Sequence, residues 1–379
     1  MLNLNLEVVN SISSFAQYCD PWNQLWINSN AYEPMSRSEG IQRWHQQFSA
    51  QDEFSAIMVW NGAQLVGGLP LIHSQKYGVK LLQQPRNDWC NAGELMVHSA
   101  VEVQPVVAAI VQGLATFSES VLCFDGVRFE TEPWTTFIKE VEALSGQMGI
   151  LRREKVGLIE VGDDWDAYFQ SLSGNHRSSV RRAEKKARKS AELSLLRLQD
   201  LSNDDRVTWM NRAFEIENRS WKRDAGTSIL ASEGMPSFFL DEAEIARTSG
   251  MLELWFLMLD QEPIAFEYCH LAKQVLLSYK IGFDESFKHL APGKLLRKLQ
   301  LETLCRQSPG TVLDTKGILC SEKAKWATST YDIGRLVVAL KGRIPKLVLS
   351  AYLHAKPIVQ RFRNVESHSP SLGAAGGAN

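Results

Sequence analysis

The sequence predicts an α/β protein of two similar units, each a mixed sheet flanked by helices. Three observations carry this. A strand–hairpin order followed by a helix and another strand occurs twice, about 200 residues apart. Period-2 apolar runs alternate with helical periodicity, which marks mixed α/β layers. The 379 residues are 44% hydrophobic and 22% charged, enough apolar material for more than one core. Two unrelated mixed domains that share a common meander are the competing reading.

In the first unit, residues 55–60 and 65–72 are apolar runs around Asn61-Gly62, the strongest short hairpin signal. A helical pattern over 101–117 precedes a strand at 121–124, and a further helix spans 134–144. The unit boundary is expected within 149–157, just before a strand at 158–161, giving domains of 1–152 and 153–345. Asp163 or Asp164 can cap a helix through Trp165 and Phe169, with Gly174 as its stop. Helices follow over 204–219 and 241–247. Runs at 252–259, 263–271 and 274–281 make a meander, then a helix over 293–305 leads to a strand at 311–314. Residues 346–379 are expected to be a basic helix and a disordered tail.

Acidic and basic side chains number 43 and 41, which argues against a generally basic nucleic-acid coat; DNA is not an expected partner, and any polyanion site must be local. Six cysteines lack a C-x-x-C spacing and read as buried thiols of a reducing compartment. No secretory signal or membrane-spanning run is visible, so a soluble, cytoplasmic protein is expected.

Four constellations could carry chemistry. Residues 177–189, RSSVRRAEKKARK, hold seven basic side chains and one acid. Val180, Ala183 and Ala187 form a small-residue seam, leaving Arg177, Arg181 and Lys185 on one flank for phosphate, unless the helix is merely a solvated basic face. Pro292-Gly293 opens a helix whose free N–H groups favour an anion, although the pair is also common helix punctuation. Glu267 is a carboxylate on a buried-looking strand, suited to a general base or to a structural ion pair. Asp314 ends a strand where α/β sites collect, with Lys323 and Lys325 following; a turn cap and surface lysines are the alternative.

Taken together, these motifs resemble the GNAT-like acyltransferases of the Fem type, especially the branch associated with bacterial cellulose and exopolysaccharide biosynthesis. The resemblance rests on Pro21-Trp22 and Leu25-Trp26, GGLPL at 67–71, Asn87-Asp88-Trp89, HRSSVRRAEKKARK at 176–189, LAPGKLL at 290–296 and DTKGILCSEKAKW at 314–326. It covers residues 6–345 and implies two tandem GNAT-like (acyl-CoA N-acyltransferase) domains, the first of them structural. It also implies acyl transfer from acetyl- or another acyl-coenzyme A to an amine, across a gap where strands 274–281 and 311–314 splay apart.

On that resemblance Glu267 is the expected base, Tyr279 and Lys280 contact the proton or the acceptor, and Pro292, Gly293 and Lys294 hold donor phosphate. Arg177 and Arg181 would hold an anionic, sugar- or envelope-related acceptor, with Asp314, Lys323 and Trp326 completing the wall. No metal is required. Leu290 and Leu295 depart from the outer positions of the usual coenzyme A loop, and Glu322 replaces a tyrosine before Lys323. An aminoacyl-tRNA-dependent transferase is the first alternative, with tRNA disfavoured because no long helical arm lies between Arg177 and Arg219. A non-catalytic scaffold in polysaccharide assembly is the second, with peripheral membrane contact through the six basic residues of 341–363.

Overall fold

The computed structural model describes residues 3–353 other than 77, 145, 348, 351 and 352. Its strands are β1 Leu4–Val9, β2 Phe54–Asn61, β3 Gln64–Lys76, β4 Val79–Gln83, β5 Met96–Val97, β6 Val121–Arg128 and β7 Gln147–Glu160. The second half adds β8 Leu193–Leu198, β9 Leu252–Leu259, β10 Glu262–Ala272, β11 Val275–Phe283, β12 Val312–Asp314 and β13 Ser329–Ala339. All join in one mixed sheet ordered β1-β2-β3-β4-β6-β13-β7-β12-β11-β10-β9-β8, with β5 on β3. The expected mixed α/β architecture is present, and the order is the same read from either end.

Local chemistry explains both hairpin sets. Gly62 adopts φ 60° between β2 and β3, the left-handed turn that Asn-Gly favours. Lys273 and Gln274 take φ 51° and 63° between β10 and β11, a tight turn that succeeds without glycine because the meander on either side enforces it. In each half one pair is parallel: β4 with β6, and β11 with β12. The helices Val103–Leu114 and Pro292–Gln307 make the two crossovers between those parallel strands.

The expected boundary at 152/153 does not coincide with a break. It falls inside β7, a fourteen-residue strand that pairs along its length with β13. β7 leaves the first half to pair with β12, and β13 returns from the second half to pair with β6. The halves therefore exchange their last strands, which leaves no open sheet edge at the junction. The anticipated basic helix and tail of 346–379 lie mostly outside the described residues.

Three cores follow from this arrangement. One packs the outer face of the first half, around Val107, Phe124 and Phe137, and one packs the second, around Trp255, Leu257 and Leu295. The third is shared: Trp22, Trp44 and Phe54 pack with Phe214, Phe238 and Tyr268. Phe48 and Phe238 meet edge to face at 4.9 Å across the halves. Cys90, Cys269 and Cys305 are buried thiols as expected, whereas Cys320 is exposed. Among the described residues no helix is long and apolar enough to cross a membrane.

Candidate active site

The centre of the second half is a gap between β11 and β12. Their parallel pairing covers Val275/Val312, Leu276/Leu313 and Leu277/Asp314 and then stops, although β11 runs on to Phe283. Two local causes part them. Thr315 turns to β7, its N–H and hydroxyl donating to Gly157 O at 3.0 and 2.9 Å. β11 carries an extra residue: Tyr268 faces Lys280 and Cys269 faces Ser278, so Tyr279 is bulged. The bulge brings Tyr279 and Lys280 to the same side of the sheet, whereas strict alternation would separate them.

A cavity lies on each side of the gap. The one beside the Pro292–Gln307 helix is about 550 Å³, the one between the halves about 770 Å³. Trp221, Ile281, Thr315 and Lys323 line both, so the two spaces meet at the parted strands.

On the smaller side the helix starts at Pro292 after Ala291, which takes φ 56° and offers no side-chain cap. Lys294 N–H and Leu295 N–H both turn back to Ala291 O, at 3.0 and 3.2 Å, and a Cβ built on Gly293 would meet only Phe283, at 4.0 Å. The helix start is therefore open toward the cavity, with Lys288 and Lys294 on its wall, a setting that suits a phosphate. Leu290 and Leu295, the departures from the usual coenzyme A loop, are buried core residues. Lys294 Nζ donates to Ser179 Oγ at 2.8 Å, tying the Gly174–Ser190 helix to this wall.

Glu267 lines the same cavity, 1% exposed, and accepts from Arg297 Nη2 at 2.9 Å, while Arg297 Nη1 donates to Gln300 at 2.6 Å. The ion pair that its sequence allowed is therefore present, and the carboxylate still faces the cavity. Trp326 is buried on the wall against His176, ring centroids 4.5 Å apart. Lys323 Nζ donates to Thr315 O at 3.0 Å and also to Lys316 O, and burial holds its ammonium below the usual lysine range.

The larger cavity receives Tyr279, Lys280 and Lys316 from the second half and Arg86, Trp89 and Asp125 from the first. The Tyr279 hydroxyl is shielded from solvent and has no hydrogen-bond partner. Its ring lies 4.3 Å from His270, whose imidazole burial pushes down to about 3. Lys280 Nζ sits 4.5 Å from the Trp89 ring centre and 4.8 Å from that of Phe239, and burial lowers its pKa. Lys316 forms a buried ion pair with Glu33.

The remaining expected residues stand elsewhere. Asp314 is fully buried and accepts from the phenols of Tyr32 and Tyr331, so it braces the turn and lies behind the wall of both large cavities. Arg177 and Arg181 line neither cavity. The helix phase set by the Ser173 cap and by buried His176, Val180 and Ala187 turns Arg177 back to Gln170 O and lays Arg181 over the Phe169 ring at 5.4 Å. Gly174 does not stop the preceding helix; it opens this one. Sequence reasoning missed Arg86, Lys316 and Trp221, and gave Trp89 no role beyond a motif.

No curated protein sequence matches the chain. Solved structures of similar fold include FemX, 11% identical with a TM-score of 0.60 over 84% of this chain and 95% of that one. They also include the C-terminal domain of a putative lysylphosphatidylglycerol synthetase from Agrobacterium fabrum, 9% identical, TM-score 0.52, over 89% and 96%. L-PGS from Bacillus licheniformis is 8% identical, TM-score 0.52, over 88% and 96%. At these identities the likeness is one of fold. A family model described as acetyltransferase (GNAT) domain matches residues 174–315, the stretch that holds β11, β12 and the Pro292–Gln307 helix.

Proposed function

We propose that the protein is an N-acyltransferase that moves an acyl group from a thioester donor, an acyl-coenzyme A, to an amine. The observation that carries this is the meeting of two cavities at the parted β11 and β12. The donor lies in the 550 Å³ cavity with phosphate at the Gly293 N–H and Lys294, and its carbonyl enters the gap. The acceptor approaches from the 770 Å³ cavity. Its nitrogen attacks the carbonyl carbon, a C–N bond forms, the C–S bond breaks, and the proton shed by the amine is balanced by one taken up at the thiolate. Catalysis here is mainly positioning and carbonyl polarisation in a gap partly closed to water. We assign the proton to Glu267 or Tyr279, which line the two cavities that meet at the gap.

Motif resemblance supports a finer reading: a sugar- or envelope-related acceptor, in polysaccharide or envelope biosynthesis, modified in the cytoplasm, where six unbridged thiols are at home.

The test is calorimetric titration of the full chain with coenzyme A and acetyl-coenzyme A, followed by thiol release with amino-sugar acceptors. Saturable binding that Lys294→Glu abolishes, with thiol release dependent on an amine, is the expected result. No binding of either nucleotide, together with retardation of charged tRNA, would overturn it in favour of an aminoacyl-tRNA donor.

A further inference from the structure

The 770 Å³ cavity contains two cations with no carboxylate in ion-pair contact among the described residues. Among the described residues neither Arg86 nor Lys280 has an acidic oxygen within 4.0 Å. Arg86 lies against Gly126, where an added Cβ would come within 1.9 Å of its Nη1, so the backbone there is kept bare for the guanidinium. Its polar neighbour is the side-chain amide of Asn91, whose oxygen accepts from Nη1 at 3.2 Å once the amide is turned over, and the carboxylates of Glu33 and Asp125 act on it only from beyond ion-pair distance. Lys280 stands between the faces of Trp89 and Phe239, and the carboxylates of Glu217 and Glu242 act on it only from beyond ion-pair distance.

The other charges of this wall are engaged. Asp125 pairs with Arg335, Lys316 pairs with Glu33, and Lys323 is held by two backbone carbonyls. Asp88 is exposed at the rim, and Glu154 lines the wall from β7. Arg86 and Lys280 are each half-buried, and cations withdrawn even in part from water are ordinarily paired, because desolvation without a counter-charge is costly. Two left open in one cavity, one from each half, mark the place of an anion that the protein does not supply.

We infer that Arg86 and Lys280 bind an anionic group of the acceptor, a carboxylate or a phosphate, while its amine reaches the gap at Tyr279. This rests on reading the larger cavity as the acceptor side. It moves the anion contact expected at Arg177 and Arg181 to residues the chain brings together from its two halves, and it gives the first half a part in recognition.

The test titrates the full chain, without donor, with three amines of one scaffold: 2-aminoethyl phosphate, β-alanine and ethanolamine. One anionic probe should bind about tenfold or more tightly than ethanolamine, as a charge-assisted contact allows. Which of the two wins tells phosphate from carboxylate. Arg86→Met and Lys280→Met should each remove most of that preference, Arg86→Lys should keep part of it, and Arg181→Gln should leave it unchanged. Equal affinity for all three amines, no binding of either anion, or a preference that survives both Met substitutions overturns the inference. Wild-type preference is read without any variant, so a variant that fails to fold does not protect it. Coenzyme A is titrated in parallel: its failure to bind, with anion preference intact, overturns the acyl-transfer reading alone.

Discussion

The phenol of Tyr32 donates to the carboxylate of Asp314 at 2.9 Å, joining a loop of the first half to the last residue of β12. The same oxygen accepts from Tyr331 at 2.8 Å, and the other from the Lys316 N–H at 2.9 Å. One buried carboxylate thus fixes the turn after β12, the returning strand β13 and the first half together, which places it upstream of the geometry of the gap.

Asp314→Ala should therefore cost on the order of 3–5 kcal/mol in urea unfolding, since it leaves two buried phenols and an amide without their acceptor. Tyr32→Phe should cost about 1 kcal/mol. In a double-mutant cycle the two should couple, because they share one hydrogen bond. Independent, additive effects would show that the halves are held by their shared core and not through this contact.

Glu242 gives a pH-dependent stability of known sign. It is fully buried, neither carboxyl oxygen has a hydrogen-bond partner, and burial raises its pKa to about 8, against a partial pull down by Lys280. An unfolded chain releases this proton near pH 4.5, whereas the folded protein keeps it until about 8, so stability falls as pH rises between those values and then levels. Glu242→Gln keeps the shape and removes the titration. It should match wild type near pH 4 and exceed it by a few kcal/mol at pH 8, because each pH step of one between the two pKa values costs the wild type about 1.4 kcal/mol. A constant difference across that range would contradict the assignment.

Much of the fold is legible in the sequence because it is written locally. Asn61-Gly62 specifies a hairpin, Pro292 a helix start, and alternating apolar residues the meander, and all three stand where the residues indicate. The exchange of β7 and β13 is not local. β7 contains Gly149 and Gly157, which suggest a break, yet both are paired to β13, on either side of a single bulge, and that strand lies nearly 200 residues away in sequence. The site divides the same way. The helical phase of 177–189 is right about its buried seam, at Val180 and Ala187, but phase alone does not say which flank faces a cavity. Arg86 and Lys316 depend on contacts across the two halves, and no periodicity announces those.

Glu267 and Tyr279 can be separated by what each substitution leaves behind. Glu267→Gln removes the charge that Arg297 needs at 2.9 Å, so it should lower stability by roughly 3 kcal/mol as well as turnover. Tyr279→Phe removes a hydroxyl with no partner, so the fold should be untouched. If Tyr279 handles the proton, kcat should fall about 10²-fold with KM little changed and the pH profile altered. Unchanged kcat in Tyr279→Phe, with loss in Glu267→Gln beyond what its lowered stability explains, would return the role to Glu267.

Trp221 lines both cavities and is 60% exposed, more so than Ile281, the other large apolar side chain common to the two. Its position is not loose. The adjoining Lys222 donates to Glu217 Oε1 at 2.6 Å and to Ile281 O at 2.8 Å, which pins the short Trp221–Asp224 helix to β11 beside the gap. On the proposed acyl transfer, an indole fixed there would shield the acyl carbonyl from water once donor and acceptor are bound, its exposed face buried by that event. Trp221→Ala should leave stability within about 0.5 kcal/mol, as expected for an exposed residue. It should raise hydrolysis of the donor relative to transfer several-fold, read as thiol released without acylated amine. Substitution by Phe should restore most of the partition. If hydrolysis and transfer fall together, Trp221 binds substrate without excluding water, and the shielding must come from the ligands themselves.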